Sequence, residues 1–578
     1  MKQKYKHYLF NVVIPVLVYG AFTGLLVGTV VYFFKLGAEY LVEFSTEFYH
    51  AAQANPWLIF AIFGGVVALA FVSWLLQRWA SETKGGGIPR AEGVLRGILT
   101  FRWLRTAIAV IVNSFISFFA GLPLGSEGPS VLLGTAIGGG TSKLPLSHDS
   151  WNRYIMTGGA CAGFAVATAA PVTGILFALE EAHKRFTPMI FLMSLSSVLF
   201  GVTAANLWNL AIFGEPVGAL FRISKEINGA FVNFMGTFKM TDIWVPLLLG
   251  VFVAIVACAY NLFVFWMGKT YDKKLKKVPH WAKLLIVFVL TAVIGVIAVG
   301  GFNGTDALYG GGGLINKLTQ NGMVATAESM SWYIIFALLV IRFLAIAFAT
   351  SSGATGGVFI PMLSIGALLG ALSAELFCAM GMRADLYGTV VILSMTAFMG
   401  AATRAPLTAL VFTVECTWNF TNLFYVAITV FISYFLCEIV KVEPLYDVLL
   451  ERMVEQQNHG KTHKILKLNY VVSEKAFAVS KSVRDILWPA NTKVTNIVAN
   501  DQVKRMDDDG EKKIHAGDRL TIISQTYDEE RTKAELAQIL GNQVEEPEIE
   551  VEYDQSADVN VINDEQEDNN SSGKNENN

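Results

Sequence analysis

The apolar runs of this chain decide what it can fold into. Phe10–Phe34, Trp57–Leu76, Ile243–Phe265, Leu284–Val299, Ile334–Phe348 and Leu423–Val440 each offer enough apolar sequence to cross a bilayer as a helix. Between them lie shorter stretches broken by Gly or Pro, around Leu122–Gly139, Ala160–Leu179 and Gly353–Leu369. Broken segments at membrane depth are tolerated only where they are buried in protein or line a water-filled cavity. The mixture predicts a polytopic α-helical membrane protein of the channel or transporter kind, not a bundle of simple anchors. Charge agrees, since 16% of the 578 residues are charged, against about a quarter in soluble domains. Phe10–Phe34 is too long for the apolar core of a cleavable signal.

The apolar part carries an internal repeat. Ala170-Pro171-Val172-Thr173-Gly174, continuing to Glu180, lines up with Ala405-Pro406-Leu407-Thr408-Ala409, continuing to Glu415, at an offset of 235. Gly134 and Gly138 match Gly366 and Gly370 at an offset of 232, and Gly85–Ile88 matches Gly311–Leu314 at 226. Each half therefore runs from a Gly cluster through a Gly-rich broken helix to an Ala-Pro helix ending in Glu. Repeats with broken helices at corresponding positions point to a binding site near the midplane.

Three glycine clusters fall into that frame. Gly125-Ser126-Glu127-Gly128-Pro129 sets a carboxylate between glycines in membrane-class sequence, a costly choice unless it lines a pathway. Gly85–Pro89 and Gly356–Pro361 offer exposed amides ahead of helices. Helix starts carry about half a positive charge. Several converging on one point would hold a small anion without a fixed cation binding it too tightly to leave. The simpler use of such glycines is close helix packing. Basic residues set the orientation: Lys2, Lys4 and Lys6, the Lys269–Lys277 linker, the Arg78–Arg105 region and Lys184/Arg185 are all expected in the cytoplasm with the C-terminus.

Taken together, Gly-x-Gly-Ile-Pro (85–89), Gly-x-Glu-Gly-Pro (125–129), the Ala-Pro helix ending in Glu180-Glu181, Gly-Gly-x-Phe-x-Pro (356–361) and Pro444-Leu445-Tyr446 resemble the CLC family of chloride channels and proton-coupled chloride antiporters. The resemblance covers roughly residues 10–455. It implies a multi-pass cell-membrane homodimer, bacterial in type, whose two inverted halves are built of tilted, often broken helices. By the same resemblance Glu127 is the gating carboxylate that competes with anions for their seat, and Glu181 is the proton-transfer glutamate of the antiporters. Gly86, Gly128, Val358 and Phe359 then line the anion site with backbone, and the Tyr446 hydroxyl closes it from inside. Glu180 and Glu415, which match each other, are expected to be structural. Two departures stand out: Gly86 replaces a Ser whose hydroxyl contacts the anion in the family, and Ser126 replaces a residue that is often basic.

The implied function is exchange of chloride, or a similar small anion, for protons. The alternative is a passive chloride channel of the same fold. An intramembrane enzyme finds no support in HExxH, metal-spaced His/Cys or a complete phosphate loop. A cation transporter would show further grouped membrane carboxylates. No cofactor and no nucleic-acid partner are expected.

Residues 1–455 make the transmembrane domain in this reading, 456–470 a linker, and 471–542 a small α/β cytoplasmic domain. Strands are expected at Ala476–Val479, Val494–Val498 and Leu520–Ile523, a short helix at Ser482–Leu487 and a helix at Glu529–Leu540. This domain resembles the RCK C-terminal (TrkA-C) regulatory domain, which implies dimerisation and a regulatory nucleotide such as cyclic di-AMP. Residues 543–578 hold twelve acids and one base, which leaves +8 on the other 542 residues, and are expected to be a disordered acidic tail. The five cysteines sit in apolar segments without CxxC spacing and are expected to be buried free thiols.

Overall fold

The structure, a computed structural model, describes residues 13–144, 149–221, 224–227, 230–233, 235–301, 305–321, 330–499, 502–505, 510–541 and 544–553. The basic start (Lys2, Lys4, Lys6) and residues 554–578 of the acidic end lie outside them. The chain divides after Val454 into a helical unit and a C-terminal unit.

The helical unit opens with α1 (Ile14–Ala54), α2 (Trp57–Trp79), α3 (Gly87–Leu95), α4 (Trp103–Phe119), α5 (Glu127–Thr141), α6 (Asn152–Thr168), α7 (Pro171–Leu176) and α8 (Pro188–Phe213). A hairpin of β1 (Ser224–Ile227) and β2 (Ala230–Asn233) leads to α9 (Trp244–Lys273), α10 (His280–Gly301), α11 (Gly312–Gln320) and α12 (Trp332–Ser352). Then come α13 (Phe359–Ala379), α14 (Tyr387–Thr403), α15 (Pro406–Thr417), α16 (Leu423–Ile439) and α17 (Leu445–Asn458). Among the described residues, eight helices are long and apolar enough to cross a membrane. Three of them, in α8, α13 and Ala384–Thr403, exceed the apolar runs picked out in the sequence. The last is wholly buried, and its Thr389, Ser394 and Thr396 hydroxyls donate to the Gly236, Gly366 and Ile392 carbonyls. Those hydroxyls dilute its hydropathy without exposing it.

The duplication is written into the backbone. Positive φ occurs in pairs at the repeat offsets: Gly85 (81°) with Gly311 (95°), Gly121 (81°) with Gly353 (82°), and Ala169 (53°) with Arg404 (62°). The last pair is not glycine, so tertiary context and not local preference holds it left-handed. The halves also touch reciprocally. Gly125 N–H donates to the Gly357 carbonyl and Gly357 N–H to the Gly125 carbonyl, both at 2.7 Å, and these two residues are repeat mates at 232. Glu180 accepts from the amides of Leu407 and Thr408 at 2.9 and 2.6 Å. Glu415 accepts from those of Val172 and Thr173, both at 2.7 Å. Each glutamate satisfies the orphan amides at the start of the other's helix. Residue i meeting j while j meets i is the signature of a two-fold relation.

The C-terminal unit is an antiparallel sheet in the order β5 (Gln502–Arg505), β4 (Thr492–Ala499), β6 (Arg519–Thr526), β3 (His463–Val471), β7 (Val544–Tyr553). One helix, α18 (Glu529–Leu540), completes it, with Leu536, Ile539 and Leu540 in the same core as Leu466, Leu468, Tyr470 and Ile522. Several expectations change here. The supposed linker 456–470 holds most of the interior strand β3, whose buried Leu466, Leu468 and Tyr470 alternate with half-buried residues. Residues 544–553 of the supposed disordered tail pair with β3 as an edge strand. Ala476–Val479 is a turn and not a strand, because the Ala478 N–H donates to the Ile539 carbonyl at the end of α18. The expected helix at 482–487 shrinks to one 3₁₀ turn, Val483–Asp485.

Candidate functional site

The three glycine clusters meet. A Cβ on Gly87 would lie 1.9 Å from the Gly128 carbonyl oxygen, one on Gly128 would lie 2.7 Å from Gly357 Cα, and one on Gly356 would lie 2.5 Å from Leu124 Cβ. The starts of α3, α5 and α13 are therefore pressed backbone to backbone. Close packing and convergence of helix dipoles are one arrangement, not rival explanations. Gly86 is different. Its φ of −70° and ψ of 138° suit any residue, and the nearest atom to a Cβ there is Pro89 Cδ at 3.5 Å. The space that a serine would fill is open.

Glu127 is the first residue of α5 and only 2% exposed. Its Oε1 accepts from Ser126 Oγ at 3.1 Å. The carboxylate faces the amides of Glu127 and Ile360, at the starts of α5 and α13. Oε2 has no partner with hydrogen-bond geometry among the described residues, and lies 2.3 Å from where a Gly125 Cβ would stand. An anionic side chain thus occupies the place that the converging amides prepare for an anion. Glu127 also lines a cavity of about 1260 Å³ whose wall includes Lys35, Gly125, Tyr309, Gly310 and Lys317.

The rim of that cavity is fixed by Arg342, which is completely buried. Its Nε donates to Ser364 Oγ at 2.7 Å, Nη1 to the Asp306 and Leu308 carbonyls at 3.0 and 2.9 Å, and Nη2 to those of Tyr309 and Gly310 at 3.1 and 2.8 Å. All five donors of the guanidinium fork are used. A Cβ on Gly310 would lie 3.4 Å from Gly125 Cα, so the loop that Arg342 holds backs directly onto the turn before Glu127.

Outside the lining of this cavity lie three buried groups without hydrogen-bond partners among the described residues: both carboxylate oxygens of Glu181, Glu92 Oε1 and the Tyr446 hydroxyl. Tyr446 is within electrostatic reach of Glu181, Glu92 and Glu127. It stands in the first turn of α17, behind a connection held from two directions. Asn261 Nδ2 donates to the Glu443 carbonyl at 3.1 Å, and Arg404 Nη2 to that of Val442 at 2.6 Å. Glu181 sits in a π-helical turn, Phe177–Ala182, that continues α7. Arg96 Nη2 donates to its backbone carbonyl at 2.8 Å. Such turns cost stability and recur at functional sites. Val358 caps α13, and the Phe359 ring packs edge-on against Phe164 and Phe412 with centroids at 5.1 and 5.3 Å.

Glu127, Gly128, Gly86, Val358 and Phe359 thus stand at the converging helix starts, with Tyr446 within electrostatic reach of Glu127 and Glu181. Glu92 was missed. In the sequence it forms an i,i+4 pair with Arg96, which looks like a solvated ion pair. Here that contact is a loose 3.4 Å, with Glu92 1% exposed. Its only early signal is its place in the first short helix after a Gly cluster. Among the described residues no three His, Cys, Asp or Glu side chains are grouped to hold a metal. The five cysteines are free thiols, three buried and two half-buried.

Residues 68–438 match the model of the voltage gated chloride channel family. A slow cyanobacterial Cl⁻/H⁺ antiporter is 25% identical, with a TM-score of 0.67 over 77% of this chain and 99% of its own. A eukaryotic CLC transporter (18% identity, TM-score 0.61, 82% and 79% covered) has the same fold. So does a CLC-type fluoride/proton antiporter (19%, 0.57, 75% and 98%).

Proposed function

The chain belongs to the voltage gated chloride channel family, and from that premise we propose that it exchanges chloride, or a similar small anion, for protons. The observation that carries the antiport reading is the second carboxylate: Glu181, buried, without a hydrogen-bond partner among the described residues, within electrostatic reach of Tyr446 and outside the lining of the cavity at Glu127. A pathway for anions alone has no use for a desolvated acid there, and such a group is expensive to keep.

The cycle follows from competition for one seat. With the seat empty, ionised Glu127 occupies it, neutralised by the amides of α5 and α13. An arriving anion repels the carboxylate, which takes a proton from the cavity and turns out. When the anion leaves, the neutral carboxyl returns and gives its proton inward, toward Tyr446, Glu92 and Glu181. Glu181 passes it on, and Glu127 is charged again. Each proton moves only because an anion vacated or took the seat, so the two flows run in opposite directions.

Liposomes loaded with chloride and placed in low chloride test this. Chloride efflux should drive proton uptake against a pH gradient, and efflux with no proton movement would leave a passive channel. The open space at Gly86 favours that second reading, since a missing hydroxyl widens the mouth at Tyr446.

We further read the molecule as a multi-pass cell-membrane homodimer with both termini cytoplasmic, as the basic segments suggest. Exposed Val172, Leu407, Phe424 and Phe431 supply apolar surface for the partner or for lipid. The C-terminal unit is then a TrkA-C-like regulatory module, for which cyclic di-AMP is the ligand to try first. Calorimetric titration of the full-length protein showing no heat would leave it a dimerisation element only.

A further inference from the structure

Two cysteines that the exchange cycle does not use stand face to face in the second half. Cys258 of α9 and Cys437 of α16 are 179 residues apart in the chain, yet their sulfurs are 3.0 Å apart. Cys258 is half-buried, Cys437 is buried, and both are free thiols. Cys437 Sγ also donates to the Ala254 carbonyl at 3.5 Å, one turn before Cys258 on α9. A disulfide holds its sulfurs at about 2.05 Å, so an approach of about 1 Å would close this pair. Two other cysteines are engaged differently: Cys161 with Ser194 Oγ and Cys416 with the Thr413 carbonyl, each at 3.4 Å.

Exposure and charge suit the pair to oxidation. Ile255 and Leu262, one turn to either side of Cys258, are 62% and 52% exposed. Cys258 therefore borders an open surface where a small uncharged oxidant can arrive, and Cys437 lies directly behind it. The Arg404 guanidinium is within electrostatic reach of the Cys437 thiol. A thiol reacts as its thiolate, and reactive cysteines are found beside such cations.

The position of the pair says what a bond there would hold. Residues 440–444 join α16 to α17, which carries Tyr446 in its first turn. Asn261, one turn beyond Cys258, donates to the Ala402 carbonyl at 3.0 Å and to the Glu443 carbonyl at 3.1 Å. Arg404 Nη2 donates to the carbonyls of Cys437 and Val442 at 2.8 and 2.6 Å. Hydrogen bonds thus fix this joint to α9 and to Arg404, and a bond between positions 258 and 437 would add a covalent tie at the same place.

We propose that Cys258 and Cys437 form a reversible disulfide site, closed by hydrogen peroxide and opened by small thiols, that slows exchange when closed. The Cys258 sulfur attacks one peroxide oxygen and the O–O bond breaks. The departing hydroxide takes the thiol proton as water, and Cys258 is left as a sulfenic acid. The Cys437 sulfur then attacks the Cys258 sulfur, the S–O bond breaks, and hydroxide leaves with the Cys437 proton as a second water. Two electrons pass from the pair of sulfurs to one peroxide. Thiol–disulfide exchange reverses the bond, and two small thiols leave as their own disulfide. The slowing rests on the transport reading above, whereas formation of the bond does not.

The full-length protein in liposomes is treated with hydrogen peroxide, then unfolded and labelled with a maleimide. All five cysteines should label in the reduced protein and three after peroxide, with five again after dithiothreitol. Cys258→Ser, with four thiols, should keep four. Chloride-driven proton uptake should slow about three- to tenfold on oxidation and recover with dithiothreitol. In Cys258→Ser or Cys437→Ser neither reagent should change it. Should Cys437→Ser fail to fold, half-buried Cys258→Ser supplies both readouts. Thiols lost equally from Cys258→Ser, or not lost from the unaltered protein, overturn the disulfide. A closed bond with unchanged flux overturns the brake. Absence of coupled flux in the unaltered, reduced protein would sink the transport reading instead, and the label count would still decide for or against the disulfide.

Discussion

The two halves of the helical unit share a frame and differ in what they place on it. At the reciprocal caps they are equivalent: Glu180 and Glu415 each hold the start of the other's Ala-Pro helix. One residue further on they part. Glu181 lies in a π-helical turn, whereas its mate Cys416 continues α15 as an ordinary buried side chain. The same divergence recurs at the glycine clusters. Glu127 and Phe359 are both the first residues of their helices, separated by the repeat offset of 232, with Pro129 and Pro361 two residues on. One is a carboxylate without a full set of partners, the other an aromatic ring packed among rings. The helix starts that face a common point are shared by both halves, whereas at these two mate positions only the first half carries a carboxylate, Glu127 against Phe359 and Glu181 against Cys416.

The largest effect that would test this division is at Glu127. Glu127→Gln keeps the shape and removes the charge and the proton. Coupled proton flux should fall at least about a hundredfold, while anion flux persists and loses its pH dependence. PH-dependent, coupled exchange surviving in that variant would break the assignment of the gate to the first half. Next in size is Glu181→Gln, which should lower proton flux about ten- to a hundredfold and spare anion flux. The control is Cys416→Ser at the mate position, expected to leave coupling unchanged. Equal losses at 181 and 416 would mean that the halves do not divide the work.

The caps give a smaller effect. Replacing either Glu180 or Glu415 by Gln removes charge-assisted bonds to two amides and a threonine hydroxyl, and should cost about 1–2 kcal/mol. The two variants should lower the unfolding temperature in detergent by similar amounts. Only Glu180→Gln should also slow proton flux, because Glu181 is its neighbour on the π-helical turn. If Glu415→Gln slows protons just as much, the caps act as one unit and the asymmetry at 181 is incidental.

How much of this could be read beforehand depends on whether the cause was local. The repeat, the glycine clusters and the carboxylate at 127 were legible because glycine and proline are demanded by backbone geometry wherever they stand. The left-handed Ala169 and Arg404 were not, since nothing in either side chain asks for that conformation. Glu92 was hidden by Arg96 four residues on, a spacing that usually marks a solvated face. In the C-terminal unit, Lys-Ile-Leu-Lys-Leu-Asn-Tyr (464–470) and Glu-Ile-Glu-Val-Glu-Tyr (548–553) both alternate with period two. Their charges drew them toward linker and tail. A strand with one solvated face carries such charges by design, and on an edge they discourage further pairing.

The smallest effect sharpens the comparison most finely, because sterics drop out of it. Gly86 and Gly312 are repeat mates, each following a left-handed glycine, Gly85 or Gly311. A Cβ on Gly86 would meet nothing nearer than 3.5 Å, and one on Gly312 nothing within 4 Å. Serine should therefore be accepted at both positions with little change in stability, within about 0.5 kcal/mol. Only at Gly86 does the new hydroxyl reach the convergence of α3, α5 and α13, where it would donate to an anion as the seat's missing partner. Gly86→Ser should shift the chloride-to-nitrate flux ratio about two- to fivefold, in line with one added hydrogen bond, and Gly312→Ser should not move it. A shift of the same size at both would mean that the second half's glycine cluster also touches the ion, and that the halves share the seat more evenly than their side chains suggest.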